Sequence, residues 1–115
     1  MSIKGSCHCG KIAFEAEGAP DQAMECNCSH CARKGFLLRF TTPDKFTVVG
    51  DESAMTLYRF NKHVIQHRFC PVCGVEPFAR GKSRDGKEMV AVNLRCVPDF
   101  DRSTIKVVAV DGKSF

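Results

Sequence analysis

The sequence lacks long apolar segments, and this absence excludes whole classes of protein. No stretch approaches the roughly 20 consecutive apolar residues of a membrane-spanning helix. The first six residues also contain no apolar core of the kind that marks a secretory signal peptide. We therefore expect a cytoplasmic protein with no membrane association, in a compartment where thiols stay reduced.

The sequence also has no linker, no internal repeat, no low-complexity segment and little helical periodicity. At 115 residues, 43% hydrophobic and 26% charged, the chain has an ordinary globular composition and room for one core. We expect a single domain over residues 1–115. Alternating and β-branched segments predict a mainly β fold with little helix. The expected strands are residues 11–17, 36–41, 46–49, 55–60, 64–69, 89–94 and 105–110, with a turn at 61–62 and a short helix at 29–35.

What the sequence does have is cysteine, eight residues in all. Seven of the eight fall into three tight clusters: Cys7 and Cys9; Cys26, Cys28 and Cys31; Cys70 and Cys73. In a reduced compartment, CxC and CxxC spacings favour metal chelation over disulfides. A secreted disulfide domain is the weaker alternative, because no export signal precedes the cysteines.

The third cluster has the form of a zinc knuckle. Two residues between Cys70 and Cys73 let a tight turn aim both sulfurs at one ion, and Gly74 allows a positive φ that points backbone amides at sulfur. A redox CxxC motif would instead require a βαβ context, which the sequence does not show. Cys7 and Cys9, followed by Gly10, form a narrower hairpin that can also chelate.

The middle cluster offers three thiolates within six residues. Three such ligands occupy three corners of a tetrahedron and leave the fourth open for water or a substrate thiol, as in catalytic zinc sites. The alternative is a closed structural site in which the protein fills the fourth corner. The residues that could do so are Cys96, His30, His67 and His63.

Other polar side chains have two readings each. His67 is either a proton shuttle or metal-supporting donor, or a surface or packing residue. The His30 ring either hydrogen-bonds a cysteine sulfur or faces solvent, and we expect solvent. For Cys96 we expect burial as a small apolar residue rather than a spare thiol at the site. Arg33 and Arg95 could bind a substrate carboxylate or form surface ion pairs.

The formal charge of +4 overstates how basic the folded protein is. Seven bound thiolates contribute seven negative charges and two zinc ions four positive ones, which leaves a net charge of about +1. This nearly neutral balance argues against a nucleic-acid partner. The sequence does not indicate an oligomeric state.

The motifs resemble those of the glutathione-dependent formaldehyde-activating enzyme family, which also includes centromere protein V-like members. The resemblance spans roughly residues 5 to 100, in matching order. It is carried by Gly5-Ser6-Cys7-His8-Cys9-Gly10, Cys26-Asn27-Cys28-Ser29-His30-Cys31, Arg33-Lys34-Gly35, Phe69-Cys70-Pro71-Val72-Cys73-Gly74, Val75-Glu76-Pro77-Phe78 and Asn93-Leu94-Arg95-Cys96.

The resemblance implies a fold, two zinc sites and an activity. The fold would be an Mss4-like zinc-binding β fold with cysteine-bearing loops. The structural zinc would be held by Cys7, Cys9, Cys70 and Cys73, and the catalytic zinc by Cys26, Cys28 and Cys31. The implied enzyme is a carbon–sulfur lyase, similar to S-(hydroxymethyl)glutathione synthase, whose partners are a small-molecule thiol and an aldehyde.

Two other functions are compatible with the same residues. The chain could be a non-catalytic zinc module that binds a protein partner. It could also be a metal or redox sensor that uses labile thiolates. Metal content and thiol–aldehyde turnover would distinguish these two from the enzyme.

Overall fold

The computed structural model describes residues 2–18, 22–59, 65–83, 85–98 and 100–111. These residues form ten strands and one short α-helix. The elements are β1 Ser2–Ser6, β2 Ala13–Glu17, β3 Gln22–Cys26, α1 Ser29–Lys34, β4 Leu38–Thr41, β5 Phe46–Val49, β6 Thr56–Tyr58, β7 Gln66–Phe69, β8 Phe78–Lys82, β9 Glu88–Asn93 and β10 Lys106–Val110. No helix among them has the length and apolarity needed to cross a membrane.

Strands β1, β2 and β5 form a three-stranded antiparallel sheet in the order β1-β2-β5. The alternation in β2 explains its place there, because Phe14 and Ala16 are buried while Glu15 and Glu17 face solvent. Both cysteines of the first cluster follow β1, in the loop that leads into β2. The sheet therefore fixes where that loop emerges.

The remaining strands form a seven-stranded sheet in the order β10-β3-β4-β9-β8-β7-β6. Its pairings are antiparallel except that β10 runs parallel to β3. The middle cysteine cluster begins at the end of β3, and the third cluster lies between β7 and β8. All three clusters thus lie at strand ends, where the backbone is free to turn.

The main core lies where the two sheets meet. Phe46 of the first sheet contacts Phe14, with ring centroids 5.6 Å apart, and Phe78 of the second sheet, at 5.0 Å. Val90 and Val92 of β9 are fully buried in the same cluster. Cys7 and Cys70 are also buried there, so the first and third cysteine clusters rest directly on the core.

The prediction of a mainly β fold with little helix and cysteine-bearing loops is confirmed. Each predicted strand has a counterpart, and the predicted helix at 29–35 matches α1 Ser29–Lys34 closely. The predicted turn at 61–62 lies outside the described residues. Three strands were not predicted, namely β1, β3 and β8, since their sequences SIKGS, QAMEC and FARGK lack an apolar alternation.

Candidate metal centres

The first and third cysteine clusters converge into one group of four thiols. The Sγ atoms of Cys7, Cys9, Cys70 and Cys73 all lie within 4.8 Å of one another. Cys7 and Cys70 are buried in the core, whereas Cys9 is exposed and Cys73 partly exposed. The group therefore ties the β1–β2 loop to the β7–β8 loop across more than 60 residues of chain.

The spacing of these sulfurs fits a tetrahedral thiolate site. The Sγ atoms of Cys7 and Cys9 are 3.7 Å apart, and those of Cys9 and Cys70 are 3.6 Å apart. A Zn–S bond of about 2.3 Å places neighbouring corners of a regular tetrahedron about 3.8 Å apart. Soft thiolate donors at this spacing suit zinc better than hard cations such as magnesium or calcium.

Backbone hydrogen bonds shape both loops of this group. The amide of Gly74 donates to the Cys70 carbonyl at 2.9 Å and closes the knuckle, with Gly74 at φ +79°, as its sequence position predicts. The amide of Val72 donates to Cys70 Sγ at 3.4 Å, and the amide of Ile12 donates to Cys7 Sγ at 3.4 Å. Backbone hydrogen bonds from Cys73 and Val72 outweigh burial and lower the pKa of the Cys70 thiol.

One thiol of the four-cysteine group is especially prone to ionise. Backbone hydrogen bonds from Cys9 and Val75, together with the neighbouring thiols of Cys70 and Cys7, lower the pKa of Cys73 to about 6. A thiol with such a pKa is largely a thiolate at neutral pH. Cys73 therefore offers a ready ligand atom in the group.

The middle cluster forms a second group. The Sγ atoms of Cys26, Cys28 and Cys31 lie within 4.8 Å of one another. Cys26 ends β3, Cys28 is the N-cap of α1, and Cys31 is buried in the first turns of that helix. Cys28 caps the helix with sulfur, since the amide of Cys31 donates to its Sγ at 3.3 Å. One short segment thus brings three thiols together.

Two thiols of this second group, Cys28 and Cys31, differ in acidity. Burial raises the pKa of Cys31 well above its ordinary value, and the neighbouring thiols of Cys28 and Cys26 add to the rise. Burial also opposes ionisation of Cys28, but backbone hydrogen bonds from Cys31 and His30 outweigh it and lower the Cys28 pKa. The Cys28 thiol is therefore more acidic than the Cys31 thiol.

Within the described part of the chain, the three-cysteine group gains no fourth cysteine, histidine or carboxylate. Cys96 packs beside the main core, and His30 and His67 belong to a different cluster. His63, the remaining residue considered for the fourth corner, lies outside the described residues. The arrangement can hold a metal ion with three protein sulfurs.

The C-terminal strand supports the three-cysteine segment from one side. Val110 of β10 lies opposite Cys26 in the parallel ladder, and its carbonyl accepts a hydrogen bond from the amide of Asn27 at 3.1 Å. The Asn27 side chain also donates to Asp111 Oδ1 at 2.9 Å. The loop that starts at Cys26 is thereby held to a second strand.

A third cluster joins His30, His67 and Glu76, whose ligand atoms lie within 4.8 Å of one another. The Glu76 side chain is only 1% exposed, and its Oε2 lies 2.8 Å from His67 Nδ1. An ionised carboxylate only accepts hydrogen bonds, so the ionised form of Glu76 pairs with the His67 tautomer that carries a proton on Nδ1. The sequence reasoning missed Glu76 as a functional residue, although Glu76 stands in one of the motifs that carry the family resemblance.

The expectation that His30 faces solvent is wrong. Its side chain is only 12% exposed, and its ring lies 4.0 Å from His67, 5.7 Å from Tyr58 and 5.8 Å from Phe36, centroid to centroid. His30 lies in the first turn of α1, on the face that packs toward Glu76, which explains its burial. His67 is buried as well, and its histidine–carboxylate pair is more than a surface or packing contact.

The remaining predicted side chains have structural contacts. Arg33 donates to the Ser29 carbonyl at 2.9 Å, and Arg95 donates to the Gly35 carbonyl at 2.6 Å, so both brace α1. Cys96 is partly buried against the core, as expected. Burial and the nearby Cys7, Cys73 and Glu76 raise its pKa to about 12, which keeps it a neutral thiol.

Comparison with known proteins agrees with this geometry. The family described as "Glutathione-dependent formaldehyde-activating enzyme" matches residues 2–109. A crystal structure of a Rhodobacter sphaeroides protein superposes with a TM-score of 0.78 at 30% sequence identity, covering 94% of this chain and 100% of the other. The chain belongs to the glutathione-dependent formaldehyde-activating enzyme family.

Proposed function

We propose that this protein is a zinc-dependent carbon–sulfur lyase that forms and cleaves adducts between a small thiol and an aldehyde, of the glutathione–formaldehyde type. One observation carries the proposal. Cys26, Cys28 and Cys31 place three sulfurs within 4.8 Å of one another, with no fourth cysteine, histidine or carboxylate among the described residues in their group. Catalytic zinc sites have this form, with three protein ligands and one exchangeable position.

The proposal assigns different roles to the two thiol groups. Cys7, Cys9, Cys70 and Cys73 would hold a structural zinc, because four sulfurs complete a tetrahedron and leave no position for a substrate. Cys26, Cys28 and Cys31 would hold the catalytic zinc. Cys26 and Cys28 are partly exposed, which leaves a small thiol access to that site. A reducing, cytoplasmic location would keep all seven thiols available.

Zinc bound by the three cysteines would lower the pKa of a substrate thiol and so supply a thiolate near neutral pH. In the forward reaction the thiolate sulfur bonds to the aldehyde carbon, the carbonyl π pair moves to oxygen, and a proton from solvent completes the hydroxyl. The reverse reaction returns that proton and breaks the carbon–sulfur bond. No oxidant or reductant is consumed in either direction.

The residues of the chain contribute position and charge control to this reaction. The amide of Cys31 donates to Cys28 Sγ, and the amide of Cys28 donates to Cys26 Sγ at 3.5 Å. These donors offset part of the negative charge of the ligand sulfurs. Burial of Cys31 in α1 fixes one sulfur while the other two stay partly open to solvent.

The rate of adduct exchange tests this function directly. Formaldehyde and glutathione are equilibrated, and the interconversion rate is measured by NMR exchange spectroscopy with substoichiometric protein. We expect a rate increase proportional to protein concentration that is absent in Cys28→Ser. A shifted adduct population without a faster rate would indicate a binding module, and full turnover by Cys28→Ser would rule out the open-site mechanism.

A further inference from the structure

Glu76 is a buried carboxylate that belongs to neither thiol group. It follows the Cys70–Cys73 knuckle by three residues and lies just before β8. The side-chain amide of Asn93 holds this segment, because its Nδ2 donates a buried hydrogen bond to the Glu76 backbone carbonyl at 3.1 Å. The backbone at Glu76 is therefore held in place next to the sheet.

The Glu76 carboxylate lies near two polar side chains of α1, beyond hydrogen-bond distance of both. Its Oε1 lies 3.7 Å from His30 Nε2 and 3.9 Å from Lys34 Nζ. His30 and Lys34 are four residues apart and so lie on one face of the helix. Its other oxygen is hydrogen-bonded to His67 of β7 at 2.8 Å. A single carboxylate thus joins one helical face to the seven-stranded sheet.

The same helix carries the three-cysteine group. Cys28 caps α1, Cys31 lies within it, and His30 stands between them. A six-residue helix has little stability of its own, so packing and contacts at its face decide its orientation. An unpaired buried carboxylate is costly, so the hydrogen bond between Glu76 and His67 and the attraction of the Lys34 ammonium 3.9 Å away favour one placement of α1 on the sheet.

We propose that Glu76 is a positioning residue that links the four-cysteine knuckle to the three-cysteine site. By holding α1 against the sheet, it sets Cys28 and Cys31 at the distances that a metal ion requires. The inference rests on the proposed function, because it takes the three-cysteine group to be a metal site. It also predicts that the two sites are unequal in their dependence on Glu76.

The test compares metal affinity at the two sites of the same chain. Zinc is removed by graded chelator and counted by native mass spectrometry, and cadmium NMR distinguishes a four-sulfur from a three-sulfur site. In Glu76→Ala we expect about a 10- to 100-fold loss of affinity at the three-cysteine site. Affinity at the four-cysteine site should change by no more than about twofold. Overall destabilisation would weaken both sites together, so their ratio is an internal control.

Glu76→Gln separates charge from shape and covers the case in which Glu76→Ala does not fold. Its amide oxygen still accepts from His67 but no longer attracts Lys34, so we expect a loss smaller than that of Glu76→Ala. Glu52→Gln is the matched control, since Glu52 pairs with Arg80 and Arg68 away from α1. It should leave both affinities within about twofold of wild type.

Two results would overturn the inference. One is an unchanged ratio of the two affinities in the Glu76 variants, which includes equal weakening of both sites. A third metal equivalent in wild type that Glu76→Gln removes would make Glu76 a ligand instead. Wild-type protein that binds metal only at the four-cysteine site would contradict the proposed function itself, which is distinguishable from the other results.

Discussion

The two thiol groups are built in opposite ways. The four-cysteine group gathers sulfurs from two loops separated by more than 60 residues and rests on the main core through buried Cys7 and Cys70. The three-cysteine group is local, within residues 26–31, and depends on one short helix and its neighbours. A site made from remote segments crosslinks the fold, whereas a local site can be altered without unfolding the rest.

The largest expected effect comes from breaking the four-cysteine group. If the four-cysteine group holds the proposed structural zinc, Cys70→Ser removes one of its buried ligands and with it the metal crosslink between the β1–β2 and β7–β8 loops. Loss of a structural metal is among the few changes that cost more than about 4 kcal/mol. We expect the free energy of unfolding, measured by urea denaturation, to fall by at least that amount.

Cys96→Ala is the control for that variant. Cys96 is a partly buried cysteine that packs near the same core but belongs to neither group. Its removal should cost about 1 kcal/mol, as most single substitutions do. Equal losses in the two variants would show that the four-cysteine group is no more important to stability than ordinary packing.

A smaller loss of stability is expected when a side chain is added at Gly5, where β1 packs closely against its neighbours. A Cβ added at Gly5 would lie 2.6 Å from the Cys96 carbonyl oxygen and 2.6 Å from Phe14 Cζ. Overpacking of this kind typically costs about 1–3 kcal/mol. Gly5→Ala should therefore lower the melting temperature, whereas Lys4→Ala, at an exposed position of the same strand, should leave it nearly unchanged. A Gly5→Ala protein with the wild-type melting temperature would show that β1 can move to make room for the added Cβ, and would contradict this prediction.

Breaking the three-cysteine group should affect activity far more than stability. Cys28→Ser removes one of the three proposed zinc ligands, so we expect thiol–aldehyde turnover to disappear. The serine hydroxyl still accepts a hydrogen bond at the helix N-cap, so stability should stay close to wild type. Cys28→Ala loses the cap as well and should cost about 1 kcal/mol more than Cys28→Ser. Circular dichroism melts and the exchange assay measure the two effects. A large loss of stability in Cys28→Ser would erase the contrast between the groups.

Acidification should release metal from the two sites in order. Metal binding requires deprotonated thiols, so protons compete with zinc as the pH falls. The pKa shifts inside each group oppose one another: the pKa of Cys31 is raised by burial and that of Cys28 is lowered by backbone hydrogen bonds, while the pKa of Cys9 is raised to about 11 and that of Cys73 lowered to about 6. The number of protein sulfurs therefore decides the order, and the site with three of them should release zinc at the higher pH.

A colorimetric zinc indicator, read during an acid titration, measures this order of release. Two steps are expected in wild type, and Cys28→Ser should lack the one at higher pH. Release in a single step, or a Cys28→Ser protein that lacks the lower step instead, would contradict the assignment of the two sites.

Sequence reasoning succeeded where the signal is local. The CxC and CxxC spacings predicted clustered cysteines, and the structure brings their sulfurs into groups that could hold a metal ion. The short helix predicted directly after the middle cysteines is also present, as α1. Strands with internal alternation, such as β2, were predicted for the same reason. Strand β8 was missed because its sequence shows no alternation of apolar and polar residues. It is a strand because it pairs with β7 on one side and β9 on the other, which a local sequence pattern does not show.

The cluster of His30, His67 and Glu76 could not be found from local pattern. His67 meets Glu76 because the β7–β8 register and the knuckle loop bring them together. His30 joins them only through the packing of α1 on the sheet. Each contact depends on how distant segments pack together. The one signal in the sequence was the position of Glu76, three residues after Cys73, in a motif that carries the family resemblance.

The contrast between a closed and an open site is tested most directly by diffraction at the zinc absorption edge from crystals of the zinc-loaded protein. The account predicts two anomalous peaks per chain, one surrounded by four cysteine sulfurs and the other by three sulfurs and a non-protein ligand. A single peak, or a second zinc whose fourth ligand is a protein side chain, would contradict it.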